Sequence, residues 1–158
     1  MPTHTEQRYL THTPEQLFGL VADIESYPEF LPWCIAARIR EREANVVTAD
    51  LVIGFRVFRE RFTSRVTLNE IESIDVEYTH GPLRYLKNHW QFIPQGDGCV
   101  VDFFVDFEFR SRILQKLIGV VFNEALSRMV NAFEERADTL YGQRSQLSGD
   151  TAITQTRQ

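Results

Sequence analysis

The sequence predicts an α+β domain in which a curved antiparallel sheet of about seven strands wraps around one long C-terminal helix, with two short helices after the first strand. Two observations predict this fold. Apolar and polar residues alternate over most of the stretch 34–109, and the proline-free stretch 113–141 carries apolar residues at helical spacing. At 158 residues, with 43% hydrophobic and 25% charged residues, the chain has the size and composition of one globular domain.

The first two elements have different sequence signals. The segment 5–11 is polar but contains Tyr9 and Leu10, so it is interpreted as an edge strand. Thr13-Pro14-Glu15-Gln16 combines a capping hydroxyl, a proline at the first helical position and a Gln three residues past the cap, which predicts a helix start. Ser26-Tyr27-Pro28-Glu29 repeats this pattern, so a second short helix is predicted before Pro32.

The remaining strands are predicted to form a meander, joined by turns that are rich in Asn, Gly, Pro and Asp. Their predicted ranges are 35–43, 46–55, 58–69, 73–80, 84–93 and 99–109. The helix that follows ends at Gly142, a residue suited to a C-cap. The domain is therefore predicted to span 1–142, and the segment 143–158, which has few apolar residues, is predicted to be a disordered tail.

Charged residues on one face of the predicted sheet change sign from strand to strand. If strands pair in sequence order, each basic row lies beside an acidic row and the charges neutralise one another. Together with a net charge of −5, this pattern argues against a nucleic-acid surface and against DNA as a partner. In chain order the rows are Arg38, Arg40 and Arg42; Asp50; Arg59, Arg61 and Arg65; Asp75 and Glu77; Lys87 and His89; Asp102, Asp106 and Glu108.

The opposite face of the predicted sheet is almost entirely apolar and rich in Phe, but Glu60, Ser64, His80 and Asn88 share it. A buried polar group without a partner costs about 1–3 kcal/mol. These groups therefore either bond one another or buried water, or they orient a ligand in a mainly apolar pocket. The candidate ligand-binding residues lie on this face and on the facing stripe of the long helix: Phe55, Phe58, Glu60, Phe62, Ser64, Tyr78, His80, Asn88, Trp90, Phe103, Phe107, Phe122 and Met129.

Signals for catalysis or metal binding are weak in this sequence. It contains no GxSxG elbow, P-loop, HExxH motif or GxGxxG helix start, and no catalytic residue is assigned. Burial could move the pKa of Glu60 or His80 toward neutrality, so a cyclase or dehydratase that uses them as acid or base is kept as the enzyme alternative. Cys34 and Cys99 lack CxxC spacing and clustered His partners, so we expect reduced thiols and no metal site.

The sequence has no apolar stretch of the roughly 18–20 residues needed to span a bilayer, and its N-terminus lacks the regions of a secretory signal. We expect a cytoplasmic protein, with peripheral contact at the inner face of the membrane. An apolar loop at 27–33 is suited either to shallow insertion into lipid or to packing beneath the first helix. The start of the long helix is apolar around most of its circumference, so it is either covered by the short helices or exposed as a gate.

In chain order, the sequence carries the motifs Tyr27-Pro28-Glu29-Phe30-Leu31-Pro32-Trp33-Cys34, Gly54-Phe55, Phe62-Thr63-Ser64-Arg65-Val66, Trp90-Gln91-Phe92, Phe107-Glu108-Phe109-Arg110-Ser111 and Met129-Val130-Asn131-Ala132-Phe133-Glu134. Taken together and in this order, these motifs are similar to those of the coenzyme Q-binding proteins in the START-like, polyketide-cyclase-related superfamily. The resemblance covers about residues 3–142. It implies a helix-grip fold and an internal tunnel that holds ubiquinone or a similar polyprenyl lipid, with no required cofactor.

The resemblance also implies a function without catalysis. A carrier or chaperone of this kind supports respiratory electron transport. Relatives in the same family are described as ribosome-associating toxins that block subunit joining, so binding to the large ribosomal subunit stays an alternative. The implied pocket mouth, which is also the candidate membrane contact, comprises Tyr27, Phe30, Leu31, Trp33, Ile113 and Leu117.

Overall fold

The computed structural model describes residues 3–55 and 58–142. The predicted tail lies outside these ranges. Within them, the structure describes the backbone but not the side chains of Phe55, Phe58 and Val121. The α-helices and strands are β1 (Thr3–Leu10), α1 (Pro14–Ala22), β2 (Cys34–Glu43), β3 (Val46–Phe55), β4 (Phe58–Asn69), β5 (Ser73–His80), β6 (Leu83–Gln95), β7 (Gly98–Phe109) and α2 (Arg112–Tyr141), with a 3₁₀ turn at Ile24–Glu29.

The strands form one antiparallel sheet in the order β1-β7-β6-β5-β4-β3-β2. The meander from β2 to β7 and the α+β fold class are confirmed, and β1 completes the sheet by pairing with β7. Because neighbouring strands run in opposite directions, the β3–β4 connection, the β5–β6 turn and the β7–α2 junction lie at the same end of the sheet. We call this the junction end.

Helix α1 begins with the predicted capping box. The Thr13 hydroxyl accepts a hydrogen bond from the Gln16 N–H at 3.1 Å, and the Gln16 side chain accepts one from the Thr13 N–H at 3.0 Å. The second predicted cap is wrong. The next turn is 3₁₀ and starts from Asp23, and the Ser26 hydroxyl donates to the Asp23 carboxylate instead of capping a helix.

Helix α2 packs mainly against α1, β1 and β7. Its N–H groups are capped by Ser111, whose hydroxyl accepts from Leu114, and its C-terminus closes at Gly142 with φ 82°. The buried stripe of α2 ends at Ala137, and Leu140, one turn further along, is 49% exposed. The last turns are held by the buried His12 ring, whose Nε2 lies 2.8 Å from an Asp138 oxygen.

Opposite charges face one another across the convex side of the sheet, as the sequence predicts. Arg65 lies opposite Glu77, Glu77 opposite Lys87, and Lys87 opposite Asp106. A β-bulge in β2 places Arg42 opposite Val47, so this arginine departs from the predicted row. The centre of the convex face therefore carries charges of alternating sign and not a continuous basic stripe.

Candidate functional site

The half of the interior next to β1 and α1 is filled by aromatic rings. The Trp90 ring lies 4.6 Å from that of Phe103 and 5.1 Å from that of Phe133, and it stacks on Phe92 at 6.4 Å. In the described part of the chain, the cavity beside these rings has a volume of about 20 Å³, which is room for roughly one water molecule. The tunnel implied by the family resemblance therefore does not pass through this half, and Trp90 and Phe103 belong to the packed core.

The other half of the inner face, toward the junction end, is only partly covered. Helix α2 lies over β1 and β7, and the inner side chains of β3 to β6 are half-buried there. The strand register brings these side chains into one continuous apolar surface, which we call the concave groove. Its residues are Leu51, Ile53, Phe62, Ser64, Val76, Tyr78, Leu86, Asn88 and Phe107 of the sheet, with Ile118, Ala125 and Met129 of α2 along its side.

Phe122 forms the boundary between the two halves. It is 4% exposed, and its ring packs on Phe107 at 5.2 Å. Phe122 therefore fixes α2 on the sheet, while the half-buried Phe62, Phe107 and Met129 lie along the groove, and their contact with a ligand stays a prediction. Phe55 and Phe58, the other two predicted ring positions, have side chains outside the described part.

The polar side chains of the groove differ in their bonding. Asn88 donates to the Phe104 carbonyl at 2.8 Å, and the Tyr78 hydroxyl accepts from the Leu83 N–H at 2.9 Å, so both stabilise the sheet. Ser64, opposite Tyr78, is half-buried, and its hydroxyl has no hydrogen-bond partner among residues 3–55 and 58–142. Ser64 is therefore the groove's most available polar contact for a ligand.

The other two polar residues predicted for the inner face, Glu60 and His80, do not lie together inside the groove. Glu60 lies opposite Ile53 at the rim and is exposed. The inward orientation predicted for His80 is wrong, because a β-bulge pairs this exposed residue with Thr63. The Thr63 hydroxyl donates to Asp50 at 2.6 Å on the convex side.

A polar network along β1 was not foreseen from the sequence. Three inner side chains of β1 are polar, those of His4, Glu6 and Arg8, and His4 and Arg8 bond to α2 at the edge of the sheet. Arg8 donates to Asn131 at 2.6 Å and to Glu134 at 2.9 Å, and it also pairs with Glu6. The alternation of charged residues in β1 was the available signal, but only the pairing with β7 shows which face they occupy.

The loop between the 3₁₀ turn and β2 packs against the protein instead of projecting from it. The Tyr27 hydroxyl donates to the Val21 carbonyl, and its ring contacts Phe133 at 5.4 Å. Phe30 also contacts Phe133, and Leu31 is 5% exposed. Burial, with smaller contributions from Cys34 and Asp23, raises the pKa of Tyr27. The packing alternative for this loop is thus confirmed.

The start of α2, by contrast, is exposed. Ile113 is 73% exposed and Leu117 is 64% exposed. Trp33 lies near the same end, because its carbonyl accepts a hydrogen bond of 2.9 Å from the N–H of Gly54, one residue before the end of β3. Of the two alternatives for this helix start, coverage by the short helices is wrong; the first turns are exposed, and their role as a gate stays a prediction.

The two thiols are buried, and burial raises the pKa of each to about 11. Both Cys34 and Cys99 are therefore neutral and weakly nucleophilic at physiological pH. Among the described residues, no group of His, Cys, Asp and Glu side chains is arranged to hold a metal ion. In the same part of the chain, neither helix is long and apolar enough to cross a membrane.

Comparison with known proteins identifies relatives with two different names. The ribosome association toxin RatA of Rickettsia prowazekii is 46% identical over 134 residues, covering 82% of this chain and 92% of that protein. The coenzyme Q-binding protein COQ10 homolog B, mitochondrial, of Xenopus laevis is 33% identical over 144 residues, covering 88% of this chain and 59% of that protein. The solution structure of the 18 kDa protein CC1736 from Caulobacter crescentus has a TM-score of 0.73 and 36% identity, covering 90% of this chain and 99% of that one.

A family model gives the broader assignment. Residues 10–134 match the family described as polyketide cyclase / dehydrase and lipid transport, which agrees with the superfamily expected from the motifs. The family description includes enzymes, but the two curated relatives above are named for ribosome association and coenzyme Q binding. On the length of this match and the identity to these relatives, the chain belongs to the polyketide cyclase/dehydrase and lipid transport family.

Proposed function

We propose that this protein binds ubiquinone or a similar polyprenyl lipid in the concave groove and acts as a carrier or chaperone for it. The observation that carries the proposal is the half-buried apolar surface of β3 to β6 at the junction end. A polar ligand would gain little binding free energy from contact with this apolar surface. An isoprenoid chain would gain more, because it would remove the apolar side chains from water. The family description, which includes lipid transport, supports the same class of ligand.

The groove suits a long apolar chain with one polar end. Each methylene buried against Leu51, Phe62 or Phe107 contributes about 0.8 kcal/mol, so a few isoprene units give substantial affinity. The Ser64 hydroxyl is available to a carbonyl or methoxy oxygen of a quinone head. Because the rings around Trp90 fill the far half of the interior, a long tail would leave the groove at the junction end instead of crossing the domain.

The test of this proposal is the lipid content of the purified protein. We expect organic extracts of the protein, purified from its native host without detergent, to contain quinone well above the level in a control protein of similar size purified in the same way. Chromatography with absorbance detection measures both samples. Repeated extracts with no quinone above the control level would contradict the proposal.

An enzymatic function has less support from the site. Glu60 and His80, the predicted acid–base candidates, lie on different sides of the sheet, at the rim of the groove and opposite Thr63 respectively. Acid–base catalysis requires the acid and base to reach one substrate. The proposed function is therefore binding and not turnover.

Ribosome association is the second candidate, and the 46% identical relative named for it is the observation in its favour. The convex face offers little to RNA, since acidic and basic residues lie opposite one another on its central strands. We expect any association with large ribosomal subunits to involve the junction end, where Arg59 and Arg61 are exposed. Co-sedimentation with large subunits that weakens steeply with added salt would support this candidate, and no co-sedimentation at low salt would exclude it.

A further inference from the structure

The first turns of α2 carry an exposed apolar face. Ile113 is 73% exposed, Leu117 is 64% exposed and Val120 is 85% exposed. Their spacing of four and three residues places them on one side of the helix. Single exposed apolar residues are common on protein surfaces, but three neighbours on one helix face form a contiguous patch of the kind that contacts a partner or a membrane.

Cations flank this apolar face, and carboxylates are absent from its sequence. No Asp or Glu occurs between Glu108 and Glu124, whereas Arg110, Arg112 and Lys116 do, in a chain with a net charge of −5. Arg112 and Lys116 are exposed, and neither has an ion-pair partner in the described ranges. Cations in the first turns of a helix are unfavourable because the N-terminus of the helix already carries partial positive charge. An external anion at this place would relieve that repulsion.

Other charges at the junction end strengthen the positive field. Antiparallel topology brings the beginnings of β4 and β6 to the same end as the start of α2. Arg59 and Arg61 are exposed there, and Arg84 lies 3.7 Å from Glu108. Glu60, at the groove rim, is a further carboxylate at this end. The balance of these side chains is positive, so the junction end is basic within an acidic protein.

We propose that the apolar face of α2 and its flanking cations form a docking face for an anionic lipid bilayer. Its residues are Arg112, Ile113, Lys116, Leu117 and Val120. The apolar side chains would enter the region between headgroups and acyl chains, while the cations contact lipid phosphates. An RNA backbone would satisfy the cations but would leave Ile113, Leu117 and Val120 against phosphate, so the apolar component favours a membrane over RNA.

The docking face adjoins the concave groove on the same helical turns. Ile118 is half-buried and lies one helical turn before the buried Phe122, on the inner side of α2, whereas Leu117 and Val120 face solvent. A bilayer seated on this face would therefore lie near the end of the groove through which a polyprenyl tail would leave. The purpose of the docking rests on the proposed lipid-carrier function, but the docking itself is measured without any bound quinone.

The test is flotation of the full chain with vesicles of phosphatidylcholine, alone or with added phosphatidylglycerol, at low salt. We expect strong binding to the anionic vesicles only. An Arg112→Gln/Lys116→Gln variant should bind on the order of 20-fold more weakly, since each cation near an anionic surface contributes about 5-fold. An Ile113→Ser/Leu117→Ser/Val120→Ser variant should bind at least about 10-fold more weakly.

The matched control replaces three exposed apolar residues elsewhere, as Ile71→Ser/Ile93→Ser/Leu140→Ser, whose side chains are 40%, 37% and 49% exposed. It should float like the wild type, and thermal unfolding followed by circular dichroism should show all variants folded. The proposal is overturned if the wild type does not bind anionic vesicles at low salt, or if the apolar triple variant binds as the wild type does. Ribosomal RNA binding that needs the cations, without vesicle binding, would assign this face to RNA instead.

The quinone content of the same variants separates the two proposals. Variants that lose vesicle binding but keep quinone at the wild-type level would support docking as a distinct property. Vesicle binding by a wild-type protein that never contains quinone would contradict the lipid-carrier function and leave the docking face intact.

Discussion

Replacing Trp90 by Ala is expected to lower the free energy of unfolding by about 3–5 kcal/mol, a large part of the 5–15 kcal/mol that is typical of a whole domain. The indole is 7% exposed and contacts rings on β7 and α2. Its removal leaves a cavity between the sheet and the helix, beside a space that holds only about 20 Å³ in the native core. Urea unfolding monitored by circular dichroism measures the loss.

Two comparisons make this measurement specific. Trp90→Phe keeps a ring against Phe103 and Phe133 and should retain a substantial part of the lost stability. Ile113→Ala removes a side chain that is 73% exposed and should change the free energy of unfolding by less than about 0.5 kcal/mol. A Trp90→Ala loss below about 1 kcal/mol would show that the aromatic core is less tightly packed than described.

The sequence predicts the order and limits of the elements well, because period-two alternation and turn residues are local signals. The predicted strand at 46–55 is observed as Val46–Phe55, and that at 73–80 as Ser73–His80. The long helix, predicted from residue 113, begins one residue earlier at Arg112. The change of charge sign from strand to strand is a further signal for this order. It favours a sheet in which strands that follow one another in the sequence also lie side by side, because opposite charges then face one another.

Orientation near irregularities was harder to predict from the sequence. Strict alternation placed His80 inward, but the extra residue of a β-bulge before it changes its partner to Thr63, and no Gly or Pro within the strand marks that bulge. In β2, a similar irregularity changes the face expected for Arg42. A single inserted position reverses the side-chain pattern that follows, so face assignments fail where register changes.

The extent of the hollow interior was not predictable either, because it depends on where α2 lies across the sheet. The same apolar alternation describes Trp90, which fills the core, and Leu51, which lines an open groove. The difference arises from tertiary packing: α2 covers the inner face of β1 and β7, α1 packs on β5 and β6, and the inner face of β3 and β4 stays partly uncovered. The pattern of apolar residues identifies which face of the sheet points inward. Only the position of the helices on that face determines which of its residues are packed core and which line the groove.

A Ser64→Trp substitution is expected to abolish quinone retention while the protein stays folded. Ser64 is half-buried between Ala49 on β3 and Tyr78 on β5, so an indole at this position would occupy the middle of the concave groove. If the ring excludes three or four methylenes of the tail, the ligand loses about 2–3 kcal/mol, which corresponds to roughly 30- to 150-fold weaker binding. Quinone in organic extracts of the variant should fall to the level of the control protein.

Two further variants distinguish blocked space from other effects. Arg65→Trp adds the same ring on the next residue, which is exposed on the convex face opposite Glu77, and it should retain quinone. Ser64→Ala removes only the hydroxyl, so it should weaken binding by no more than the 0.5–1.5 kcal/mol typical of about one hydrogen bond. If Ser64→Trp keeps its quinone and unfolds like the wild type, the lipid does not lie in the concave groove. A loss that is equal in Ser64→Trp and Arg65→Trp would instead reflect a general effect of the added ring on the sheet, and it would not support the groove as the binding site.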